Sequence, residues 1–555
     1  MTENKNQEIV AYISMEIAID NDIKNYAGGL GVLAGDILKS AADLNVPMVG
    51  VTLLNKKGYF RQEIYGGKQI VGAGSMINFA KLKKLPQKVK VKIEKREIFV
   101  GVWKYSPKAK NKKIVPVYFL DTDLPENKKE DRKITDELYR GDKFLRLKQE
   151  IILGRAGIKM LSVLGYNNIK KIHLNEGHGA LAAVELFLNQ VDGRNNCRIK
   201  KTKQKCVFTT HTSIPRPEDT FSPAELLKYQ SDFPAQLPGL IKDNKINFTR
   251  TALYFSGYSN TVSKAHRPVV VKNFPEYRIK AITNGVHLPT WTAGEFIKLY
   301  DKYIPGWRNN NGLLKRAVKI SFQDIQRAHK ITKQKLISYI KTYTGEELAE
   351  NVLTIGFARR FAAYKRPEFL FQDLKKLLEV QKKFGKIQII FAGKAHPQDI
   401  RGQKLIEKIF QYKKRLAGKM KVVFLEDYDL DKAALLVSGV DIWLNTPLPP
   451  NEASGTSGMK AAANAVPQLS TFDGWWTEGY KRRRTGWKIK EKKNGRNNLY
   501  NLLANDILPL YYNRPERWAK LMRTTIAINA AFFNTDRVLK QYVKESYGLA
   551  GKCSK

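Results

Sequence analysis

Two spacings of apolar residues alternate along the chain. Runs of branched and aromatic residues at Ala11–Glu16, Pro47–Leu53, Ile169–Leu174, Cys206–Thr210 and Lys280–Thr283 predict strands. After Gly28-Gly29-Leu30-Gly31 the apolar positions Ile37, Leu38, Ala41, Ala42 and Leu44 fall at helical spacing, so the first 53 residues read as a βαβ unit with a glycine-rich turn. Between 88 and 120 the pattern becomes strict alternation (Val89, Val91, Ile93; Ile98, Val100, Val102; Val115, Val117, Phe119), which predicts a β-rich, antiparallel insertion. Helical periodicity returns over Asp136–Leu164 and again, with many charges, over Leu313–Thr344. A second series of strands follows at Val352–Phe357, Ile387–Ala392, Val422–Leu425 and Val440–Leu444, separated by helical stretches. Alternating β and α elements form a parallel sheet covered by helices, here twice over. No internal repeat is visible, and Arg514–Ala550 reads as a helical tail.

The ends of these strands carry the chemistry. Asn175-Glu176-Gly177-His178, His211-Thr212 and Asn284-Gly285-Val286-His287 each follow a strand, where open α/β sheets place ligands. A lone histidine at a strand end is commonly structural, and glycines in a turn serve positive φ as often as an anion; three polar clusters on one sheet edge favour a shared cleft. Compact metal-ligand spacing is absent, so no metal site is expected. In the second series, Arg359-Arg360-Phe361-Ala362-Ala363-Tyr364-Lys365-Arg366 follows a buried strand and offers the cationic donors that a phosphate group requires. The stretch Pro449–Lys460 follows Val440–Leu444, carries small residues at Ser454, Gly455, Ser457 and Gly458, and runs into Met-Lys-Ala-Ala-Ala. Strand, small-residue turn and helix in that order leave amides free for an anion, although an ordinary βα turn has the same outline.

Composition narrows the class. A chain of 555 residues with 43% hydrophobic content divides into two or three domains. No apolar run is long enough to span a bilayer, and the polar N-terminus has no signal-peptide layout, so a cytoplasmic protein is expected. Cys197, Cys206 and Cys553 have neither disulfide nor zinc-ligand spacing. Lys and Arg outnumber Asp and Glu by 97 to 52, a formal net charge of +45. Such an excess attracts polyanions, but the basic residues are spread over the chain without a nucleic-acid-binding motif, so nucleic acid is disfavoured as a partner.

Several of these motifs together resemble one family. Glu452-Ala453-Ser454-Gly455-Thr456-Ser457-Gly458-Met459-Lys460, Arg359–Arg366, Gly28–Gly31, Asn175–His178 and Thr283–Val286 are similar to motifs of the α-glucan (glycogen, maltodextrin) phosphorylases, most of all their short bacterial and archaeal branch. The resemblance runs from near residue 11 to near residue 512 in the family's order. It implies two Rossmann-like doubly wound domains facing across a cleft, the GT-B arrangement. The expected division is 1–320 for the first domain, 321–515 for a cofactor-binding domain, and 516–555 for a helical tail packing back on the first.

By the same resemblance Lys460 is the attachment point of pyridoxal 5′-phosphate, with Thr456, Ser457 and Gly458 at its phosphate and Arg359 as a cation beside it. Arg360 and Lys365 match the family's orthophosphate ligands, and with His178 they are the expected catalytic residues. Gly28 and Gly29 match the glycine loop facing the phosphate. Asn175, Asn260, Asn284, Glu452, Ser454 and Gly455 match positions around the sugar. The implied reaction is release of a terminal α-1,4-linked glucose by orthophosphate as glucose 1-phosphate, with retention, on a glucan or maltooligosaccharide; the resemblance also allows a homo-oligomer. Departures occur at Ala465, Pro467 and Glu218 and in the basic segment Lys481–Arg496, whose single acidic residue is Glu491. The competing readings are a nucleotide-sugar glucosyltransferase of the same architecture, which has no use for a Lys460-type lysine, and a non-catalytic binder of glucan or nucleic acid.

Overall fold

Two parallel sheets carry the fold in the computed structural model, which describes residues 7–105, 115–139, 141–191, 193–213, 219–491 and 498–549. They lie in two units, one made of Met1–Phe60, Ala73–Thr283 and Val538–Lys555, the other of Arg61–Gly72 and Asn284–Arg537. Glu218 and the end of the basic segment, 492–496, lie outside the described residues.

In the first unit nine strands run across the sheet in the order Lys280–Ala281, Tyr258–Thr261, Cys206–Thr209, Ile169–Asn175, Ile9–Ser14, Met48–Leu53, Val117–Asp121, Arg96–Tyr105 and Leu82–Ile93. The first seven pair in parallel, and the last two add an antiparallel edge. Chain order reverses direction between Ile9–Ser14 and Ile169–Asn175, which marks the doubly wound switch point. One apolar core lies on each face of this sheet.

The antiparallel insertion expected over 88–120 is therefore only partly antiparallel. Leu82–Ile93 and Arg96–Tyr105 form a hairpin with alternating burial, whereas Val117–Asp121 is buried at every position and pairs in parallel with Met48–Leu53. Alternation in sequence reports which faces are wet, not the direction of a neighbour, and a fully buried strand hides its period.

Besides the antiparallel hairpin Arg61–Tyr65/Lys68–Gly72, the second unit holds a sheet of six parallel strands in the order Lys421–Leu425, Ile387–Ala392, Leu353–Ala358, Ile442–Asn445, Gln468–Thr471 and Gly486–Ile489. The switch point falls between Leu353–Ala358 and Ile442–Asn445. Buried Asp441 locks the start of this pair: its carboxylate accepts from Lys333 Nζ (2.6 Å), His329 Nε2 (2.9 Å) and the Thr354 amide (2.7 Å). Lys333 and His329 belong to the helix Phe322–Thr344, so one ion network ties that helix, the strand Leu353–Ala358 and the start of Ile442–Asn445 together. Pro467 precedes the strand Gln468–Thr471 and its carbonyl accepts from the Trp443 amide at 3.0 Å, so the ladder begins on a group that proline retains.

The units divide after Thr283, ahead of the position near 320 expected from the sequence, because Gly294–Tyr303 packs on the helix Phe322–Thr344. The C-terminal tail is also shared. Pro515–Thr525 stays with the second unit, while residues from Val538 onward complete the first, where His173 bonds Tyr547 (2.7 Å) and Thr209 bonds Tyr542 (2.9 Å).

Candidate active site

Several of the residues expected from the sequence to form a site lie at the carboxyl ends of the second unit's strands. Leu353–Ala358 delivers Arg359 at its carboxyl end, and Arg359 Nη1 donates to Asn445 Oδ1 (2.9 Å) at the end of the neighbouring strand. Arg359 Nη2 and Lys365 Nζ both donate to Glu452 Oε2, each at 2.5 Å. Glu452 and Lys365 are buried. Burial alone pushes the Glu452 carboxyl up, but Arg359 and then Lys365 outweigh it and hold it at about 2. Tyr364 lies under the Lys365 ammonium, 4.3 Å from ring centroid to Nζ; burial raises its phenol, and Lys365 with Arg360 turns the net shift downward. Arg360 is exposed on the same loop.

Lys460 sits in the short helix Ser457–Ala462. Its amine is buried over the Trp291 indole, 3.7 Å from the ring centroid. Asn464 holds that indole in place, because its side chain donates to Trp291 O (2.7 Å) and Lys460 O (3.0 Å) and accepts from the Ala293 amide (2.7 Å). Ala465 then adopts φ 62, where a glycine costs nothing and alanine is strained. Gly458 allows no side chain: a Cβ there falls 1.6 Å from Gln468 Oε1. Ser457 Oγ accepts from Trp443 Nε1 (3.1 Å), and Thr456 stands at the helix start without a side-chain capping bond. Among the described residues, Arg359 Nε and Ser454 Oγ are buried polar atoms lacking a hydrogen-bond partner. A buried amine, the buried cation Lys365, the part-buried Arg359 and the unsatisfied atoms Arg359 Nε and Ser454 Oγ form a donor set whose chemistry fits an aldehyde carrying a phosphate ester.

In the first unit the switch point gathers a second group. Asn175 Nδ2 donates to Ser14 Oγ (2.9 Å), and Asn175 Oδ1 lies 2.7 Å from His211 Nε2. Burial lowers the His211 imidazole to about 4, so it is neutral and donates from Nε2. Glu176 accepts from the His211 amide (2.7 Å) and Thr212 Oγ1 (2.8 Å). Glu16, two residues past the end of Ile9–Ser14, takes the amides of Ala27 (2.6 Å) and Gly28 (3.2 Å) on Oε2 and the Tyr139 hydroxyl (3.0 Å) on Oε1. The glycine loop is thus tied down by a buried carboxylate. A Cβ at Gly28 or Gly29 meets nothing within 4 Å, whereas one at Gly31 would strike Glu16 Oε2 at 2.7 Å.

Not every expected residue joins these groups. His178 is buried and turns to Arg146, Nε2 to Nη2 2.5 Å. His178, Glu150 and Asp219 offer ligand atoms within 4.8 Å of one another, but the guanidinium of Arg146 lies among them, 3.2 Å from Asp219 and 3.6 Å from Glu150, and supplies their counter-charge. Asn260 is fully buried; its amide accepts from Thr209 Oγ1 (3.0 Å) and donates to Tyr542 OH (3.0 Å) and Thr261 O (3.0 Å), which commits it to the layer under the tail. Asn284 is buried and its carbonyl takes Arg537 Nη2 at 3.0 Å. Sequence reading passed over Glu16, Trp291 and Asp473. Glu16 lies just past a strand end, where the sequence already placed polar clusters, while Trp291 meets Lys460 169 residues on and Asp473 meets Glu452 21 residues back.

A family model described as carbohydrate phosphorylase matches residues 235–479, which include Arg359–Arg366 and Glu452–Lys460. A model described as starch synthase catalytic domain matches residues 14–282, most of which lie in the first unit. The chain is 38% identical to the maltodextrin phosphorylase of Thermococcus litoralis, over 98% of the chain and 71% of that protein. It is 34% identical to the glycogen phosphorylase of Aquifex aeolicus, over 98% of the chain and 87% of that protein. Against the glycogen phosphorylase of Mycobacterium tuberculosis the identity is 32%, over 98% of the chain and 71% of the relative.

Proposed function

This chain belongs to the glycogen and maltodextrin phosphorylase family and is an α-glucan phosphorylase, a glycosyltransferase; we propose that it cleaves the terminal α-1,4-linked glucose of a glucan or maltooligosaccharide with orthophosphate, with retention, using pyridoxal 5′-phosphate held at Lys460. The observation that supports the proposal is that Arg359 and Lys365 converge on Glu452 at the carboxyl end of the second unit's sheet, eight residues before the buried amine of Lys460 in the same strand–turn–helix segment. Bound pyridoxal 5′-phosphate supplies a second phosphate with which orthophosphate can exchange a proton. Lys460 tethers that group, and Trp291 shields the amine from water. Lys365 and Arg360 hold orthophosphate by charge and offset its repulsion from the neighbouring phosphate, so that the phosphate anion can sit beside the positive charge developing on the sugar. Glu452, Ser454 and Gly455 take sugar hydroxyls. Orthophosphate gives a proton to the glycosidic oxygen as the C1–O bond breaks, and its oxygen then bonds C1 from the same face, leaving glucose 1-phosphate and a glucan shorter by one unit. A carboxylate pair of the glycosidase kind is not required.

Among the described residues no helix is long and apolar enough to cross a membrane. A cytoplasmic setting is part of the proposal, and the free thiols of Cys197 and Cys206 agree with a reducing compartment. Borohydride treatment of the cofactor-supplemented protein is expected to leave a pyridoxyl mass increment on the peptide carrying Lys460; no increment, or one elsewhere, defeats the cofactor assignment. The starch synthase match favours a second reading, transfer from a nucleoside-diphosphate glucose. That reading predicts glucan elongation with the nucleotide sugar and indifference to pyridoxal 5′-phosphate.

A further inference from the structure

We propose that Asp473 is a positioning residue: its carboxylate fixes the segment Glu452–Gly455 in its sugar-binding shape, and loss of its charge releases that segment. The inference rests on the reading that Glu452, Ser454 and Gly455 hold sugar hydroxyls.

Asp473 follows the strand Gln468–Thr471 by two residues and is buried, yet it belongs to none of the motifs singled out in the sequence. Its Oδ2 accepts from the Glu452 amide (2.8 Å) and its Oδ1 from the Gly474 amide (2.8 Å). The same turn closes on the segment a second time, because the Trp475 amide donates to Ser454 O at 3.0 Å. The approach is tight enough to require glycine between them. Gly474 has φ +53, and a Cβ there would fall 2.4 Å from Ser454 O and 3.0 Å from Glu452 Cγ. Glu452 is therefore gripped at both ends, its carboxylate by Arg359 and Lys365 and its amide by Asp473. The cations set the charge of the site, and Asp473 sets where the backbone of Glu452 lies.

The charged groups facing Asp473 are Glu452 and Lys365. Burial is the largest influence on its carboxyl and the charge of Glu452 adds to it; the two amide bonds and Lys365 oppose them, leaving it raised to about 6. A carboxylate accepts both amides, whereas a protonated carboxyl has an O–H on one oxygen and grips one amide poorly. The grip is half lost near pH 6, nearly complete at pH 7.5 and largely gone by pH 5. Asparagine mimics the failed state at every pH, since its NH2 faces an amide N–H.

The test is calorimetric binding of maltotriose, a neutral sugar, to the cofactor-loaded enzyme at pH 5.5 and 7.5, with KM measured for maltoheptaose and orthophosphate separately. The wild-type protein should bind maltotriose several-fold more tightly at pH 7.5. Asp473→Asn should bind it roughly 10-fold more weakly at pH 7.5, as loss of a charge-assisted hydrogen bond implies. It should lose the pH dependence and raise KM for the glucan while KM for orthophosphate stays within about twofold, the selectivity expected of an effect on Glu452–Gly455 alone. Wild-type sugar affinity in Asp473→Asn, a retained pH dependence, or an equal rise in both KM values would overturn the proposal. If that variant does not fold, Gly474→Ala displaces the same turn without removing the charge; weaker maltotriose binding with the pH dependence intact supports the proposal, and unchanged binding overturns it. Wild-type protein that releases no glucose 1-phosphate at all would instead overturn the functional reading beneath it.

Discussion

Replacing Glu452 with glutamine removes the shared anion between Arg359 and Lys365. The carboxyl is held at about 2 against an ordinary 4.5, a difference that converts to roughly 3 kcal/mol of folding stability. Breaking one side of a buried ion pair has a comparable cost of about 3–5 kcal/mol, because the cations stay behind unneutralised. For a unit of this size that lowers the melting temperature by roughly 6–12 °C. The sign of the pH dependence follows from the depressed value. The stabilisation is complete above pH 4.5 and drains away as pH falls toward 2, so the gap between wild type and Glu452→Gln should be constant from pH 7 to 5 and narrow below 4.5. Scanning calorimetry of the cofactor-free proteins measures both. Orthophosphate should recover part of the lost stability in the variant, since it replaces the missing negative charge beside Arg359 and Lys365. A melting temperature within 2 °C of wild type at pH 7, or a gap that does not depend on pH down to 3.5, would refute the reasoning.

Three further substitutions test other parts of the structure. Lys460→Ala should keep the fold, by circular dichroism, but lose both the near-ultraviolet cofactor band and at least ~1,000-fold in turnover; substantial residual activity contradicts its assigned role. Ala465→Gly relieves a left-handed alanine worth about 1–2 kcal/mol and gives back about 0.4–1 kcal/mol in unfolded-chain entropy, so thermal melting should rise by a degree or more rather than fall. Glu16→Gln keeps the size of the buried side chain but weakens its hold on the Ala27 and Gly28 amides by about 1–2 kcal/mol; hydrogen exchange at those amides should speed up roughly tenfold, with exchange in the strand Ile9–Ser14 unchanged.

The sheets were legible in the sequence because buried parallel strands are apolar runs and the helices between them keep their own period. Lys460 was singled out by the resemblance of Glu452–Lys460 to the phosphorylase motif; the small-residue turn by itself pointed to an anion and left the lysine without a purpose. What remained hidden depends on long-range geometry. Nothing in residues 468–474 announces that Asp473 meets the Glu452 amide, and the pairing of Arg146 with His178 joins positions from different helices. Asn260 matched a sugar-site motif, yet its amide is spent on Thr209 and Tyr542, and the tail that supplies Tyr542 lies nearly 300 residues away in sequence. That the two units divide after Thr283 rather than near 320 was hidden for a similar reason, since a charged amphipathic helix looks like a linker until its partner helix is known.

The account turns on orthophosphate as the nucleophile. Incubating the cofactor-loaded protein with a ladder of maltooligosaccharides and orthophosphate should give glucose 1-phosphate, in the α configuration by proton NMR, in equal amount to glucan ends shortened by one unit. Free glucose as the product, or glucan extension that requires a nucleotide sugar and ignores orthophosphate, would contradict it.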